Sequence, residues 1–405
     1  MDVLGQRLSL SCKRRVIVLW YLVGMNDQLQ AARALRHTIR ATRRETEDAR
    51  RLAPQVVEGL ISAGLCRLAI PASVGGCEAE PPATLKIFEE LAWADASVAW
   101  IVWINQFVGL ASRYSSDAVR TEVFKEARFF AASTRPSGGA VAVRDGFRVS
   151  GRWALVSGCE LADWIAVMCV VLKGTEPHML NEREPETRMA YLPKGTYRIL
   201  DTWHVGGLRG TGSHDIVVED VFVPAERTFS FTDSPQDDRP LCRMPFFATV
   251  CAGCAALCLG IGQAAIDTLL ELAATKVQVD PFPGMRERPS VQAMVASSAA
   301  KMASARLLLH QALSEVWMTC IQGTQVTDAQ RGHVWESGHH AAQTATSVVR
   351  CMYEAAGTSA LYVDCPIERG HRDIHAVMQH IVFGPFWLEA AGRVRLGLTA
   401  QNPIF

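Results

Sequence analysis

The stretch that decides the fold is GFRVSGRWALVSGCELADWIAV, residues 146–167. Its first part alternates apolar and polar residues, and Asp145-Gly146 at its start is a dipeptide typical of a tight β-hairpin turn. Its last part opens the apolar run WIAVMCVVL, which is typical of a buried strand. We therefore predict a middle β domain, a sheet or a small barrel, over residues 129–236.

Helical periodicity flanks this domain on both sides. Before it, apolar residues recur three and four positions apart, with Pro71 and the Gly75-Gly76 pair as interruptions. After it, the same spacing returns in long runs. The predicted fold class is therefore α+β, with an N-terminal helical domain over residues 25–128 and a C-terminal helical bundle over residues 237–405.

Residues 1–24 contain a basic stretch, Lys13 to Arg15, followed by an apolar run from Val16 to Val23 that superficially resembles a signal peptide. The run is too short to cross a bilayer, and no convincing small-residue cleavage site follows it. We therefore expect residues 1–24 to be an extension ahead of the folded protein, and we expect no membrane segment elsewhere.

Charge and cysteine content restrict the class of function. The 405 residues contain 41 Lys and Arg and 41 Asp and Glu, and 49% are hydrophobic. This balanced charge gives no electrostatic reason to expect binding to nucleic acid or to an acidic membrane. The 12 cysteines are scattered rather than arranged as a disulfide framework, which favours a cytoplasmic protein.

The densest cysteine group is Cys251, Cys254 and Cys258. A metal or iron-sulfur site would require a turn-rich loop with further ligands, whereas the intervening residues are small and apolar at helical spacing. We expect these thiols to pack inside a helix. His371 and His375, one helical turn apart, have no clear third ligand, so we interpret them as a solvated helix face and predict no metal.

Four segments, in their order and spacing, resemble the acyl-CoA dehydrogenase superfamily from about Leu29 onward. They are IPASVGG (70–76), the stretch 146–167, DTWHVGGLRGTGSHDIVVEDVFVP (201–224) and CPIERGHRDIHAVMQHI (365–381). The resemblance implies an N-terminal helical domain, a middle β domain and a C-terminal four-helix bundle around a bound flavin. It also implies a homo-oligomer, commonly a tetramer.

The resemblance implies positions for the flavin. Ser157 takes the place of a hydroxyl beside flavin N(5), where it donates or accepts as the ring changes redox state. Thr134 matches a threonine in a flavin-contacting segment. Lys276 stands where an arginine lies against the flavin diphosphate, and the turn at Gly357 and Thr358 matches the region where a neighbouring subunit's backbone helps to hold the adenine half. Because lysine lacks the guanidinium fork that binds a diphosphate through two hydrogen bonds, the choice between FAD and FMN as the bound flavin stays open.

One catalytic group of the acyl-CoA dehydrogenases, the carboxylate base, has no visible counterpart in this sequence. Acyl-CoA dehydrogenases need a carboxylate base that removes the proton alpha to a thioester carbonyl. In much of the family this base stands eight positions after the Asp of an Arg-Asp pair, which leads here from Asp373 to Ile381. The other family position leads to Val250. Neither side chain accepts a proton, so the usual dehydrogenation has no visible base.

His380, directly before Ile381, takes the place of a histidine in the superfamily branch that hydroxylates aromatics, sulfur heterocycles and amines. Enzymes of this branch, the two-component class D flavin monooxygenases, receive reduced flavin from a separate NAD(P)H flavin reductase and react it with O2 to form a flavin hydroperoxide. The resemblance implies that His380 and Ser157 are catalytic, with His380 as an acid/base group or as a hydrogen-bond partner of the peroxide. Periodicity without the resemblance favours a helix-packing histidine.

A flavin hydroperoxide decays when water reaches it, so its site requires apolar walls. Trp100, Trp103 and Phe107 recur at helical spacing on the helix that lines the substrate pocket in relatives, and Phe246 is a further candidate. Asn105, on the same helix, is a candidate for orienting a polar group.

These residues together predict hydroxylation of an aromatic or heteroaromatic small molecule. Three alternatives stay open: N-hydroxylation of an amine, dehydrogenation of an acyl thioester by a base that the alignment misses, and a flavin-free subunit with a binding role.

Overall fold

The computed structural model describes residues 27–276 and 284–405. The predicted extension at residues 1–24 lies outside the described residues. Within the described part, helices precede and follow one central sheet, as predicted.

Six α-helices form the N-terminal part of the described chain. They are α1 (described over residues 27–41), α2 (Arg43–Ala49), α3 (Pro54–Ser62), α4 (Pro81–Ala94), α5 (Ala96–Ala111) and α6 (Asp117–Phe124). Asp95 separates α4 from α5, and its carboxylate accepts hydrogen bonds from Ser97 N at 2.8 Å and Val98 N at 3.3 Å. This N-cap satisfies donors that have no partner inside α5. Every residue of α5 is buried, so α5 is a core helix.

The middle domain is one mixed sheet. Its strands are β1 (Phe130–Val143), β2 (Gly146–Trp153), β3 (Trp164–Lys173), β4 (Glu176–Pro177), β5 (Thr187–Pro193), β6 (Arg198–Leu200), β7 (Asp215–Pro224) and β8 (Thr228–Phe229). The order is β6-β7-β2-β1-β3-β5-β8, with β4 paired to β3. β1 and β2 form the predicted hairpin, and Val143 pairs with Gly146 at its turn. Between Ser133 and Gly138 the register of β1 against β3 shifts.

Six α-helices follow the sheet in the described chain. They are α7 (Pro240–Arg243), α8 (Phe246–Thr275), α9 (Pro289–Ile321), α10 (Asp328–Ala356), α11 (Pro366–Val377) and α12 (Pro385–Arg395). α8 packs against α4 as well as against α9, α10 and α11. The close approach to α4 requires Gly260, because a Cβ there would lie 2.4 Å from the backbone oxygen of Glu89. Both helical domains therefore share one hydrophobic core.

α8 carries the cysteine group. Cys251, Cys254 and Cys258 are fully buried, and burial raises the pKa of all three thiols. The expected packing role is thus confirmed. Within the described ranges, no group of three or more His, Cys, Asp or Glu residues is placed to hold a metal. α8 is also the one described helix that is long and apolar enough to cross a membrane, but 89% of its most apolar window is buried, which is typical of a core helix.

A buried charged cluster joins the three parts of the fold. Arg369 on α11 lies 3.0 Å from Asp95 and 3.8 Å from Asp373. Asp373 Oδ1 accepts a 2.7 Å hydrogen bond from the backbone N–H of Leu208, which lies between β6 and β7. Burial raises the pKa of Asp373 to about 6, against the opposing effect of Arg369. The cluster holds α11 against the middle domain, and α11 leads to His380.

Candidate active site

His380 lies directly after α11, at the start of the short 3-10 helix Ile381–Phe383. Its imidazole packs against two indole rings of α5, with centroid distances of 5.4 Å to Trp100 and 5.1 Å to Trp103. The two indoles lie three positions apart on one face of α5, and their centroids are 4.8 Å apart. Three of the predicted site residues therefore form one aromatic cluster.

The hydrogen bonding of His380 defines its tautomer. Nδ1 accepts a 3.2 Å hydrogen bond from the backbone N–H of Val382, so Nδ1 is the nitrogen without a proton. Burial lowers the pKa of His380 to about 4, so the ring is neutral at pH 7 and its single N–H is at Nε2. Within the described ranges no residue accepts a hydrogen bond from Nε2. His380 is therefore a neutral donor beside the two indoles.

The two positions at which a dehydrogenase carries its base differ in their surroundings. Ile381 is 61% exposed, whereas its neighbour His380 contacts the indoles. Val250 is buried, and its carbonyl oxygen accepts a 3.0 Å hydrogen bond from Trp103 Nε1. The Val250 position thus belongs to the aromatic cluster. At the Ile381 position, the neighbouring His380 faces the cluster instead of Ile381. Neither position offers a carboxylate.

Ser157 stands in the turn after β2 and is buried. Two backbone hydrogen bonds hold this turn against the segment before β7, from Val156 N to His214 O at 3.0 Å and from Gly158 N to Thr211 O at 2.9 Å. The hydroxyl of Ser157 accepts a 2.9 Å hydrogen bond from Trp100 Nε1. The structure thereby connects the predicted flavin-contacting serine with the aromatic cluster at His380.

An apolar wall of phenylalanines begins on α5 at Phe107, four positions after Trp103. The ring centroids of Phe107 and Phe246 are 5.2 Å apart, and those of Phe246 and Phe247 are 5.0 Å apart. Phe247 in turn stacks on Trp387 at 5.8 Å. The wall therefore runs from α5 across the start of α8 to α12, and it includes the predicted residues Phe107 and Phe246.

Sequence reasoning missed two residues of this region. Phe231, whose centroid lies 5.1 Å from that of Phe246, stands in the loop after β8, where no periodicity marks a buried face. His339 on α10 is 4% exposed and lies 5.6 Å from Phe383, ring to ring. Burial lowers the pKa of His339. The one signal for His339 is its i, i+4 spacing from the buried Trp335.

Both polar atoms of the Asn105 side chain form hydrogen bonds within the protein. Its amide Nδ2 donates to Ile101 O at 2.8 Å, and its Oδ1 accepts from Phe130 N at 2.8 Å. These bonds connect α5 to the start of β1. Its role in orienting a substrate stays a prediction, and the contacts seen here are those of a residue that positions the helix.

Two groups of predicted cofactor residues lie in different parts of the fold. Thr134 is half-buried on β1, at the shift in register. Lys276, at the end of α8, donates a 3.1 Å hydrogen bond to Ser359 Oγ, which places it at the predicted turn containing Gly357 and Thr358. Gly357 has φ 58° and ψ −137°, a conformation that strongly favours glycine.

The side chains at these positions fit a flavin nucleotide. Ser157 offers a hydroxyl for a ring nitrogen, Thr134 offers a second hydroxyl, and Lys276 offers an ammonium group for phosphate. At Gly357 a Cβ would meet no atom within 4 Å, so the turn leaves open space beside Ser359. This set supplies partners for both the ring and the phosphate end of the nucleotide.

His371 and His375 contact each other, with ring centroids 4.7 Å apart, and His371 stacks on Tyr353 at 4.5 Å. Burial, followed by the charge of His375, lowers the pKa of His371. His375 is exposed, whereas His371 is half-buried by its tyrosine contact. The helix face is therefore only partly solvated.

Two family models match the chain: "Acyl-CoA dehydrogenase, N-terminal domain" over residues 28–127 and "Acyl-CoA dehydrogenase, C-terminal domain" over residues 252–385. The indole-3-acetate monooxygenase of Pseudomonas putida is 29% identical over 88% of this chain and 90% of its own length. The oxygenase component of an FADH(2)-dependent resorcinol hydroxylase from a Rhizobium species is 28% identical over 84% of this chain and 87% of its own.

The crystal structure of 3-HSA hydroxylase from Rhodococcus sp. RHA1 is similar to the present fold. It superposes with a TM-score of 0.86 and 27% identity, over 94% of this chain and 99% of the hydroxylase chain. The match therefore includes the middle domain, which lies between the two regions that the family models cover. The chain belongs to the acyl-CoA dehydrogenase family and resembles the flavin-dependent monooxygenases within it.

Proposed function

We propose that this protein is the oxygenase component of a two-component flavin-dependent monooxygenase that hydroxylates an aromatic or heteroaromatic small molecule with reduced flavin and O2. The observation that carries the proposal is the packing of His380 against Trp100 and Trp103, at the place where a dehydrogenase needs a carboxylate. Relatives named indole-3-acetate monooxygenase and resorcinol hydroxylase support the substrate class.

When bound, reduced flavin supplies the electrons that activate O2 for transfer of one oxygen atom to the substrate. Ser157 would bind the ring at N(5), and Thr134 would contact the ring from β1. Lys276 would bind the diphosphate, and the turn at Gly357 and Thr358 of a neighbouring subunit would help to hold the adenine half. These residues come from the middle domain and the C-terminal domain, so the flavin site requires both domains.

His380 acts as a hydrogen-bond donor rather than as a base. Its unprotonated nitrogen, Nδ1, is engaged by the N–H of Val382, whereas its proton is held at Nε2 without a described partner. A pKa of about 4 keeps the ring neutral throughout the physiological range. Nε2 therefore donates a hydrogen bond to an oxygen atom in the site. This acceptor belongs either to the activated oxygen or to the substrate.

The aromatic surface formed by Trp100, Trp103 and the wall residues Phe107, Phe246 and Phe247 has two roles. It offers ring faces and edges to an aromatic substrate, which favour offset and edge-to-face packing. It also excludes water, because apolar side chains offer no hydrogen-bond partners. A planar aromatic substrate would pack against these rings and would itself help to exclude water from the site.

The proposal includes partners and a location. Reduced flavin comes from a separate NAD(P)H flavin reductase, in keeping with the relative named as an oxygenase component. The protein acts in the cytoplasm as a homotetramer, and the exposed Leu361, Tyr362 and Val363 beside the turn at Gly357 offer apolar surface for subunit contacts.

The test supplies the purified protein with chemically reduced FAD or FMN, O2 and a panel of indoles and phenols. Hydroxylated product and released H2O2 are then quantified against flavin without protein. We expect product from at least one aromatic compound and less H2O2 per flavin oxidised than in the control without protein.

Two results would contradict the proposal. If an acyl-CoA reduces bound oxidised flavin anaerobically without added reductant, the protein is a dehydrogenase. If neither oxidised nor reduced flavin binds, the protein is a flavin-free subunit.

A further inference from the structure

Three buried hydroxyls form a continuous hydrogen-bonded chain beside the aromatic cluster. Ser157 Oγ lies 2.7 Å from Ser213 Oγ, and Ser213 Oγ lies 2.6 Å from Thr211 Oγ1. Thr211 Oγ1 lies 2.8 Å from the carbonyl oxygen of Leu208. Trp100 Nε1 joins the other end at Ser157. All three hydroxyl residues and Trp100 are buried.

The two ends of the chain determine the direction of every hydrogen bond in it. The carbonyl oxygen of Leu208 only accepts, so Thr211 donates its single hydroxyl proton there. Ser213 must then donate to Thr211, and Ser157 must donate to Ser213. At the other end the indole N–H of Trp100 only donates, so Ser157 accepts from it.

The terminus at Leu208 is itself held in place. Leu208 has a left-handed backbone conformation, with φ 52° and ψ 33°, which is unfavourable for a residue with a branched side chain. Its N–H donates to Asp373 Oδ1 at 2.7 Å, and its carbonyl oxygen also accepts from Thr211 N at 3.1 Å. The acceptor that orients the chain is therefore anchored to the buried charged cluster.

We infer that Thr211 and Ser213 are positioning residues which commit the Ser157 proton to Ser213 and leave Ser157 a hydrogen-bond acceptor toward the flavin. A hydroxyl oxygen has two lone pairs, and Trp100 uses one of them, so one remains. Reduced flavin carries a hydrogen on N(5), whereas oxidised flavin has only a lone pair there. The chain therefore favours binding of reduced flavin over oxidised flavin. This inference rests on the proposed function.

The preference suits an oxygenase that takes reduced flavin from another protein and must release it after oxidation. A serine with a freely rotating hydroxyl would donate to oxidised N(5) as readily as it would accept from reduced N(5). The two neighbouring hydroxyls remove that freedom because each of them is already committed as a donor toward Leu208.

The experiment measures the dissociation constants of oxidised and anaerobically reduced FAD and FMN for the wild type, Thr211→Val and Ser213→Ala. Ser213→Ala removes the acceptor of the Ser157 proton, and Thr211→Val allows Ser213 to donate to Ser157 instead, so either substitution allows Ser157 to donate to the flavin. We expect each to tighten binding of oxidised flavin about 3- to 10-fold and to leave reduced flavin nearly unchanged, since one hydrogen bond contributes on this scale. A tenfold change in the ratio corresponds to about 30 mV in the two-electron potential of the bound flavin.

Two variants serve as controls. Thr211→Ser keeps the hydroxyl and should restore the wild-type ratio. Thr84→Val removes an equally buried hydroxyl, which donates to Pro81 O at 2.8 Å on α4, and should leave the ratio unchanged. Damage to the fold would weaken binding of both flavin forms, whereas the inference requires a tightening of one form.

The outcomes separate this inference from the proposed function. Tighter binding of oxidised flavin by both Thr211→Val and Ser213→Ala supports the inference. If both variants keep the wild-type ratio, or if both flavin forms weaken equally, the hydroxyl chain does not orient Ser157 and the inference fails, while the proposed monooxygenase stands. If the wild type binds no flavin in either form, the proposed function fails first and takes the inference with it.

Discussion

Trp100 Nε1 donates a 2.9 Å hydrogen bond to Ser157 Oγ, so one hydrogen bond joins α5, the helix proposed to line the substrate pocket, to the turn predicted to contact the flavin. α5 belongs to the N-terminal domain and the Ser157 turn belongs to the middle domain. The indole of Trp100 also packs against His380 of the C-terminal domain. One side chain therefore contacts all three domains at the proposed site.

Replacing Trp100 by Phe keeps an aromatic wall but removes the donor to Ser157. We expect a loss of about 1 kcal/mol in the free energy of unfolding and a rise in the fraction of reduced flavin that ends as H2O2. Trp103→Phe is the matched control, because its indole N–H donates to Val250 O instead. Denaturant unfolding and peroxide assays measure the two effects. Equal peroxide release from both variants would contradict a specific role for the Trp100 bond.

His380→Ala removes the neutral donor. We expect hydroxylation to fall by about 100-fold or more, which is the usual scale for a positioned proton donor, and H2O2 release to rise. His375→Ala, at an exposed position on α11, is the control and should behave as the wild type. Product analysis by chromatography, together with a peroxide assay, distinguishes lost chemistry from lost flavin binding. Unchanged coupling in His380→Ala would refute the assigned role.

The lowered pKa of His380 predicts an unusual pH profile. The folded-state pKa of about 4 lies below the ordinary 6.5, so the ring stays neutral and activity should show no step near pH 6.5. The same shift contributes stability that is complete above pH 6.5 and is lost as the pH falls toward 4. Activity and denaturant unfolding between pH 4 and 8, for wild type and His380→Gln, check both statements. A histidine-type step near pH 6.5 that disappears in the variant would contradict the neutral donor.

The raised pKa of Asp373 predicts the opposite pH dependence of stability. Burial raises its pKa from 3.8 to about 6, so the folded protein binds more protons than the unfolded chain between these values. Its contribution to stability is therefore complete below pH 3.8 and is lost as the pH rises through 6. Asp373→Asn should remove a pH-dependent change of about 2 to 3 kcal/mol in unfolding free energy. Asp364→Asn, with the side chain 87% exposed, should retain the wild-type slope, and an unchanged slope in Asp373→Asn would contradict the raised pKa.

Phe246→Ala opens the aromatic wall next to Phe107. We expect a loss of about 3 kcal/mol in unfolding free energy from the cavity, together with increased H2O2 release because water enters the site. Phe124→Ala is the matched control, since Phe124 is fully buried on α6 against Phe130, away from the wall. It should lose similar stability without releasing more H2O2. Equal uncoupling in both variants would show that instability, rather than water entry, causes the leak.

Lys276 tests which flavin the site takes. If its ammonium group binds the diphosphate, Lys276→Ala should weaken the binding of FAD by about 10- to 100-fold, the scale of one hydrogen bond to a charged group, and weaken the binding of FMN less. Lys86→Ala, an exposed lysine on α4, is the control. Fluorescence titration with both flavins provides the measurement. Equal weakening of FAD and FMN would place Lys276 at the phosphate that the two flavins share.

Local sequence patterns were sufficient for the order of helices and sheet and for the buried aromatic face of α5. Alternation at period two marked β2, and helical spacing marked the face of α5 that carries Trp100 and Trp103, because these periods are geometric properties of the strand and the helix. The spacing of VCAGCAALC likewise predicted that Cys251 and Cys254 pack within a helix. Family resemblance was needed to single out His380 and Ser157.

Only the tertiary structure decided what surrounds these residues. Phe231 reaches the aromatic wall from a loop, and His339 on α10 contacts Phe383 in the short helix that follows His380. No local period encodes such contacts. The neutral Nε2–H tautomer of His380 depends on the N–H of Val382 and on burial, and the direction of the hydroxyl chain depends on Leu208 O. Proton positions follow from partners that folding brings together across the sequence, so the sequence by itself determined which side chains are present and the tertiary structure determined which of them donate and which accept.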